Sequence, residues 1–305
     1  MVLNLNFIEK FLVVNSKVND TSFGILLMIS AIFLLSLMDG FSKYLSQYYS
    51  VIAINMFRYW FFGILIFYLC IDKKYKKVSV PKSKFKLIQV FRGGILAVEM
   101  CFAHYCFLKI GLIETHAIFA SCPLIVAVLS IFILKEKFGW RRWSAIIFGF
   151  LGIIIILRPG LKIFDPIALI ALACSFAFAL YQVLTRLVSS RDDTNVSFFY
   201  TGITGFVILS VIGPFFITEV SNLDIFFIFC VCCLGTGGHF LMINAFKKAE
   251  ASVLQPFVYL HLVFVTFIGV YIFNENIELP VLVGSVMIVF SGLYTFWREK
   301  IKNQP

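Results

Sequence analysis

The sequence predicts an all-α integral membrane protein of ten transmembrane helices, arranged as two inverted five-helix repeats with both termini in the cytoplasm. Three observations carry that prediction. The first is composition: 61% of the 305 residues are hydrophobic and only 14% are charged, a balance foreign to soluble domains. The second is an internal repeat, FLKIGLIETHAIFASCPLIVAVLSIFILKE at 107–136 and FKKAEASVLQPFVYLHLVFVTFIGVYIFNE at 246–275. A constant shift brings Phe107 onto Phe246, Lys109 onto Lys248 and Glu136 onto Glu275. The third is the placement of lysine and arginine, which fall on alternate loops.

Each span is an apolar stretch of about 20 residues, long enough to cross the hydrocarbon core. In order they run roughly over 22–42, 51–71, 88–108, 116–134, 142–157, 166–186, 197–217, 225–245, 252–273 and 279–297. The first carries Asp39 and closes on Lys43; the second carries Arg58 within the aromatic run Phe57, Tyr59, Trp60 and Phe61. Glu99 interrupts the third, Pro123 the fourth and Pro256 the ninth, and the fifth is short. The eighth contains Gly235-Thr-Gly-Gly238, which lacks the lysine and strand–helix context of a phosphate loop and offers instead local unwinding or close approach of a substrate to the backbone. Residues 1–21 read as a cytoplasmic tail, 22–160 as the first repeat, 161–297 as the second and 298–305 as a cytoplasmic tail.

With the N-terminus inside, twenty basic residues fall on inner segments, including Lys73, Lys74, Lys76 and Lys77, against three outside: Lys109, Arg158 and Lys162. The net charge of +10 is therefore a topology signal, and nucleic acid is not an expected partner. All eight cysteines lie in apolar spans, which excludes a disulfide framework. No histidine stands at zinc spacing from Cys230, Cys232 and Cys233, so neither a metal nor another cofactor is expected. The first 20 residues lack the apolar stretch of a cleavable signal.

An odd number of spans per repeat forces the second copy to run through the membrane in the opposite sense, the arrangement of alternating-access carriers. The first and sixth spans align with a different shift, placing Asp39 on Gln182 and Lys43 on Arg186. Both half-chains end on a glycine-containing apolar helix, with Gly149 and Gly152 in one and Gly284 and Gly292 in the other, small residues that permit close helix approach. Pro123 and Pro256 do not align, so kinks at different depths are expected.

The paired pattern of an apolar helix ending in Glu136-Lys or Glu275-Asn, together with 151-LGIIIILRPG closing the first half, resembles the EamA branch of the drug/metabolite transporter superfamily over residues 22–297. The resemblance implies a ten-helix inner-membrane carrier whose cavity is lined by the first four helices of each half, the fifth and tenth being peripheral. Such carriers move amino acids, nucleotide-like compounds, vitamins and other small metabolites. The stretch 37-LMDGFSKYLSQYYSVIAINMFRYWF is similar to the group linked to riboflavin or S-adenosylmethionine.

Charged groups near the bilayer centre cost about 2.5–3.5 kcal/mol each and so need a partner or a task. At about 1.5 Å of rise per residue, Glu99 lies about 16 Å into the third span, His239 about 21 Å into the eighth and His261 about 14 Å into the ninth. Three titratable groups thus share one depth, and the sequence reading makes Glu99, His239 and His261 the polar centre of a substrate site, with a coupling proton among its tasks. Tyr105, Tyr181 and Tyr259 supply ring faces for a cation or a flat heterocycle; of Tyr259 and His261, two apart on one helix, one is expected to face inward. Arg58 and Trp60 join as outer contacts, and Asp39, Lys43 and Arg58 as a gating or ion-pair group, with an Asp39–Arg58 pair as its core. His104 and His116 fall towards the outer ends of their spans, where interface solvation suffices; Arg92 is expected to snorkel. Glu136 and Glu275 suit helix-end bracing.

The function expected is a secondary active transporter of a small polar metabolite, a zwitterion or amino-acid-like compound such as S-adenosylmethionine, driven by protons or by exchange. A riboflavin-like vitamin or drug carrier is the alternative within the fold. A lipid-modifying membrane enzyme needs convergent interfacial His, Asp and Glu, and no such set stands out; a passive channel or a sensor is the remaining class. The expected partners are the substrate and membrane lipid, with the chain a monomer or homodimer.

Overall fold

The computed structural model describes residues 20–72, 77–78, 81–135, 140–157 and 166–302. The N-terminal tail up to residue 19, Glu136 and the turn at 158–162 lie outside them. Twelve α-helices follow in order: α1 (Asp20–Ser46), α2 (Val51–Cys70), α3 (Lys86–Lys109), α4 (Leu112–Phe119), α5 (Cys122–Ile133), α6 (Trp140–Leu157), α7 (Pro166–Ser189), α8 (Thr194–Ile212), α9 (Asn222–Lys248), α10 (Ala251–Val258), α11 (Leu260–Phe273) and α12 (Leu279–Lys302). A short 3₁₀ turn extends α8 over Gly213–Phe216. One departure from an all-helical chain is a pair of two-residue strands, Ile71–Asp72 (β1) against Lys77–Val78 (β2).

Eight helical segments are long and apolar enough to cross a membrane, with α4–α5 and α10–α11 each counted as one; α6 and α12 contribute two shorter apolar stretches, Trp143–Leu157 and Leu279–Ser291. The fourth span begins at Leu112 rather than near 116, because Gly111 turns the chain at φ 92° and lets a helix start at once. That new N-terminus is capped from the other half of the molecule. The Glu275 carboxylate accepts from the Leu112 and Ile113 amides, each at 2.8 Å, which satisfies two orphan donors and places negative charge at the positive end of the helix dipole. Glu275 also pairs with Lys43.

The fourth and ninth spans break at equivalent points. The shift of 139 that aligns the repeated passages maps Leu112–Phe119 onto Ala251–Val258. Ala120, Ser121 and Tyr259 keep right-handed helical angles, so each break is a tightening and not an unwinding; Ser121 N–H donates to the Ile118 carbonyl at 3.0 Å, a bond of 3₁₀ type. Pro123 lies in the first turn of α5, where a missing N–H costs nothing, and Pro256 lies inside α10. The misaligned prolines therefore serve aligned breaks. Lys135 and Asn274, again equivalent, both adopt left-handed φ (59° and 51°) just after their helices.

Packing repeats as well. Exchanging the halves turns α1 against α9 into α7 against α3, α11 against α1 into α5 against α7, and α9 against α2 into α3 against α8; all of these contacts are present. Helices α6 and α12 pair with each other, and backbone meets backbone there: a Cβ on Gly152 would lie 2.7 Å from the Gly284 carbonyl oxygen. In lipid such small-residue contacts replace the hydrophobic drive that packs soluble cores.

Two sequence expectations are corrected here. Helix α9 runs unbroken through Gly235 and Gly238; these glycines admit neighbours, since a Cβ on Gly235 would meet Met38 Sδ at 2.7 Å and Arg58 Nε at 2.8 Å. Arg92 does not snorkel. It is fully buried and bonds Gln89 Oε1 (2.8 Å), Thr185 Oγ1 (2.9 Å) and the Ser197 carbonyl (2.6 Å), because α7 and α8 close over that end of α3.

Candidate functional site

Between the halves lies a cavity of about 650 Å³, mouth included. Its walls come from α1 (Leu35, Met38, Asp39), α3 (Glu99, Met100, Ala103, Phe107), the α4–α5 break (His116, Phe119, Cys122, Pro123), α7 (Phe178), α9 (His239) and the α10–α11 break (Tyr259, His261, Leu262). The breaks matter to this geometry. A continuous helix turns residues two apart by about 200°, yet Tyr259 and His261 both line the cavity, Tyr259 standing at the joint between α10 and α11 and His261 in the first turn of α11.

The structure brings together Glu99, His239, His261, Tyr259, Asp39 and Pro123 of the residues marked from sequence. It leaves others aside. Trp60 donates to Ser210 at 2.8 Å in a cluster between α2 and α8. Tyr105 lies beneath the Lys109 ammonium, and Tyr181 is buried one layer back with its ring edge towards His239. Pro256 shapes α10 without lining the cavity.

The expected Asp39–Arg58 pair does not form. Arg58 turns to Asn55 (3.4 Å) and packs over the Tyr59 ring, while Lys43 is taken by Glu275. Asp39 binds two histidines instead: His116 Nε2 lies 3.1 Å and His261 Nε2 2.9 Å from its Oδ2. Assigning His116 to the outer interface is thus corrected. It is 3% exposed, and the earlier start of the fourth span carries it a full turn into the helix. His104 is equally interior, with Nδ1 taking a bond from Asn55 at 2.9 Å. Local sequence offered one sign for His116: its partner in the aligned copy, Gln255, is also polar in an apolar helix.

Asp39, His116 and His261 have ligand atoms within 4.8 Å of one another, close enough in spacing for a metal ion. Both imidazoles already sit directly on Asp39 Oδ2, so the trio is read as a hydrogen-bonded cluster and not as a metal centre. Several polar atoms around the cavity have no protein partner: Glu99 Oε2, both ring nitrogens of His239 and the Tyr259 hydroxyl. Buried polar atoms left in that state cost about 1–3 kcal/mol each, and a bound polar molecule relieves the cost. Among the described lining residues two are carboxylates and none is lysine or arginine; Arg58 stands behind the wall.

A family model described as the EamA-like transporter family matches this chain twice, over residues 22–158 and 165–297. The chain belongs to that family. It is therefore a multi-pass membrane transporter and not an enzyme. Among its relatives, the S-adenosylmethionine uptake transporter of Rickettsia prowazekii is 29% identical over 277 residues, covering 88% of this chain and 92% of the relative. The riboflavin transporter of Vibrio cholerae is 27% identical over 192 residues, covering 60% and 62%. A solved crystal structure superposes with a TM-score of 0.65 at 15% identity, covering 92% of this chain and 99% of that one, which shows a shared fold.

Proposed function

We propose that this EamA-family protein is a secondary active carrier of S-adenosylmethionine or a closely similar cationic zwitterion, working by alternating access across the cytoplasmic membrane. The observation that carries the substrate class is the charge of the cavity wall. Glu99 and Asp39 face the space, no lysine or arginine is among the described residues that line it, and Phe107, Phe119 and Phe178 supply apolar ring surface. A molecule with an ammonium and a sulfonium, one carboxylate and a flat purine answers each feature: its positive charges suit the carboxylates and ring faces, its base the aromatics. Arg58, expected from sequence as an outer contact, stands outside the lining. The name carried by the Rickettsia relative points the same way.

Alternation is supported by the exchange symmetry of the packing and by the paired breaks beside the cavity, since equivalent joints in antiparallel halves can open the same space to either side. Ten spans are supported by the two shorter apolar stretches in α6 and α12 beside the eight long ones, and cytoplasmic termini by the basic inner loops.

The test is direct. Purified carrier is screened by thermal shift against S-adenosylmethionine, S-adenosylhomocysteine, amino acids and riboflavin, and radiolabelled hits are followed into proteoliposomes. Saturable S-adenosylmethionine uptake, competed by the sulfonium and weakly by riboflavin, is the expected result. Equal stabilisation by neutral and cationic ligands would remove the charge argument.

A further inference from the structure

Asp39, His116 and His261 meet through a single oxygen, and their hydrogens do not add up unless one more is present. His116 Nδ1 lies 3.0 Å from the Leu112 carbonyl oxygen. A carbonyl only accepts, so Nδ1 is the donor of that bond. In a neutral ring Nε2 is then a bare lone pair, and it faces Asp39 Oδ2 at 3.1 Å. Two acceptors would oppose each other in a buried cluster, where such repulsion is little screened. His261 does not cure this, because its contact with the same oxygen, at 2.9 Å, uses its own Nε2 hydrogen. One added proton, on His116 Nε2 or on Asp39 Oδ2, satisfies every contact. His104 shows the contrast: Asn55 Nδ2 donates to its Nδ1, and the neutral ring suffices.

Exchanging the halves gives a second triad without the demand. The repeat shifts carry Asp39 to Gln182, His116 to Gln255 and Cys122 to His261. There Gln255 Nε2 donates to Gln182 Oε1 at 2.9 Å, and Gln182 Nε2 donates to Cys122 Sγ at 3.2 Å. Glutamine brings both donor and acceptor, so these bonds close with no added proton. Equivalent positions thus hold a carboxylate–imidazole cluster in one case and an amide–thiol cluster in the other.

We infer that the Asp39–His116–His261 cluster is the coupling-proton site of this carrier. The inference rests on the transport reading above and names its driving ion. In the conformation seen, the proton joins α1 to α4 between Asp39 and His116. Its loss sets Oδ2 against Nε2 and loosens that joint beside the α4–α5 break, while the glutamine triad holds at any pH. Only an N–H or O–H bond is made and broken: the proton comes from water on the face to which the cavity opens and returns to water on the other.

Other groups around Asp39 are accounted for. Lys43, on the same helix, is engaged by Glu275; Arg58 from α2 gives Nη1 to Asn55 at 3.4 Å and keeps Nε and Nη2 without a protein partner. From α3 come Glu99 and His104, from α9 His239, and from the α10–α11 break Tyr259. Of these, Glu99 is the second carboxylate on the cavity, so a cationic substrate at Glu99 and a proton at Asp39 sense each other through the same small space.

Two measurements decide the matter. The first needs no substrate. An infrared difference spectrum of the solubilised protein on a pH step should show an imidazole band changing together with a carboxylate band in the wild type, and should lack that joint signal in His116→Gln and in Asp39→Asn. The second uses proteoliposomes with the membrane potential clamped and labelled S-adenosylmethionine as probe. One proton per substrate changes the accumulation ratio about tenfold for each pH unit of gradient, its sign telling symport from exchange. In His116→Gln and Asp39→Asn the ratio should be near one, whatever the absolute rate. A joint band that survives both substitutions, a wild-type ratio indifferent to the gradient, or a signal that vanishes in EDTA and returns with zinc overturns the inference. If S-adenosylmethionine is not moved at all, the substrate reading fails, and the infrared titration still decides whether the cluster holds a proton.

Discussion

Glu99 and Asp192 are two acidic side chains with opposite circumstances. Glu99 is 4% exposed, lines the cavity and has an oxygen without a protein partner. A buried carboxylate in that state detracts from stability, so its retention points to ligand contact. Glu99→Gln is expected to lower S-adenosylmethionine uptake by about tenfold or more, the loss of a charge-assisted contact worth at least about 1.4 kcal/mol. The melting midpoint of the empty carrier should hold or rise. Unchanged uptake would remove Glu99 from the site. Asp192, in the turn between α7 and α8, is instead fully engaged: it accepts from the Lys84 amide at 3.0 Å, Gln89 Nε2 at 2.9 Å and the Ser83 hydroxyl. Burial by itself would raise its carboxyl; the hydrogen bonds from Ser83, Gln89 and the Lys84 amide, with the Lys84 charge, outweigh that and hold it below the usual carboxylate range. A carboxyl lower in the folded state than in the unfolded one stabilises above the unfolded value, about pH 4, and loses that effect as pH falls through the folded value. Asp192→Asn should therefore cost about 1–2 kcal/mol at neutral pH, and the gap in melting midpoint from wild type should close as the solution is acidified below about pH 4.

At the scale of elements, the short helices α4 and α10 organise the site, and what begins α4 is side-chain chemistry from 160 residues away. Glu275 binds the first two amides of α4 and pairs with Lys43 of α1, so three elements meet on one carboxylate. Gly111 is required at the junction twice over: its φ of 92° suits a residue without a side chain, and a Cβ there would lie 3.2 Å from Glu275 Oε1. Glu275→Gln keeps one acceptor and turns an NH₂ towards the other amide. It should destabilise the carrier by about 1–2 kcal/mol, the worth of a helix cap with its charge. Adding Lys43→Gln to that variant should cost little more, because the two side chains act through one contact; full additivity in a double-mutant cycle of melting midpoints would separate them.

For the whole molecule, the exchange symmetry of the packing joins the cavity to the topology. If α8 crosses the membrane, the connection between α7 and α8 and that between α8 and α9 lie on opposite faces. Cysteines placed singly at Ser190 and at Glu219, both exposed, test this against an impermeant maleimide. In intact cells Glu219→Cys should label and Ser190→Cys should react only after permeabilisation. Labelling of both from outside would end the ten-span arrangement. Within that symmetry the two polar triads differ in chemistry, Asp39–His116–His261 against Gln182–Gln255–Cys122.

Hydrophobic length, the paired passages and the loop charges are local properties, and they specify membrane-length helices and a doubled chain without reference to any neighbour. The same holds for Glu99, His239 and His261, each conspicuous as a polar group deep in an apolar run. Partnership is not local. Asp39 finds His116 and His261 across separations of 77 and 222 residues, and the register of one helix against another is set by how small residues and breaks let backbones approach. Two features decided the rest: a helix started four residues early by Gly111 and a remote glutamate, and a helix divided at Tyr259. The first moved His116 inward and the second lets both Tyr259 and His261 line the cavity, because a side chain's direction in a bundle depends on where its helix begins and breaks.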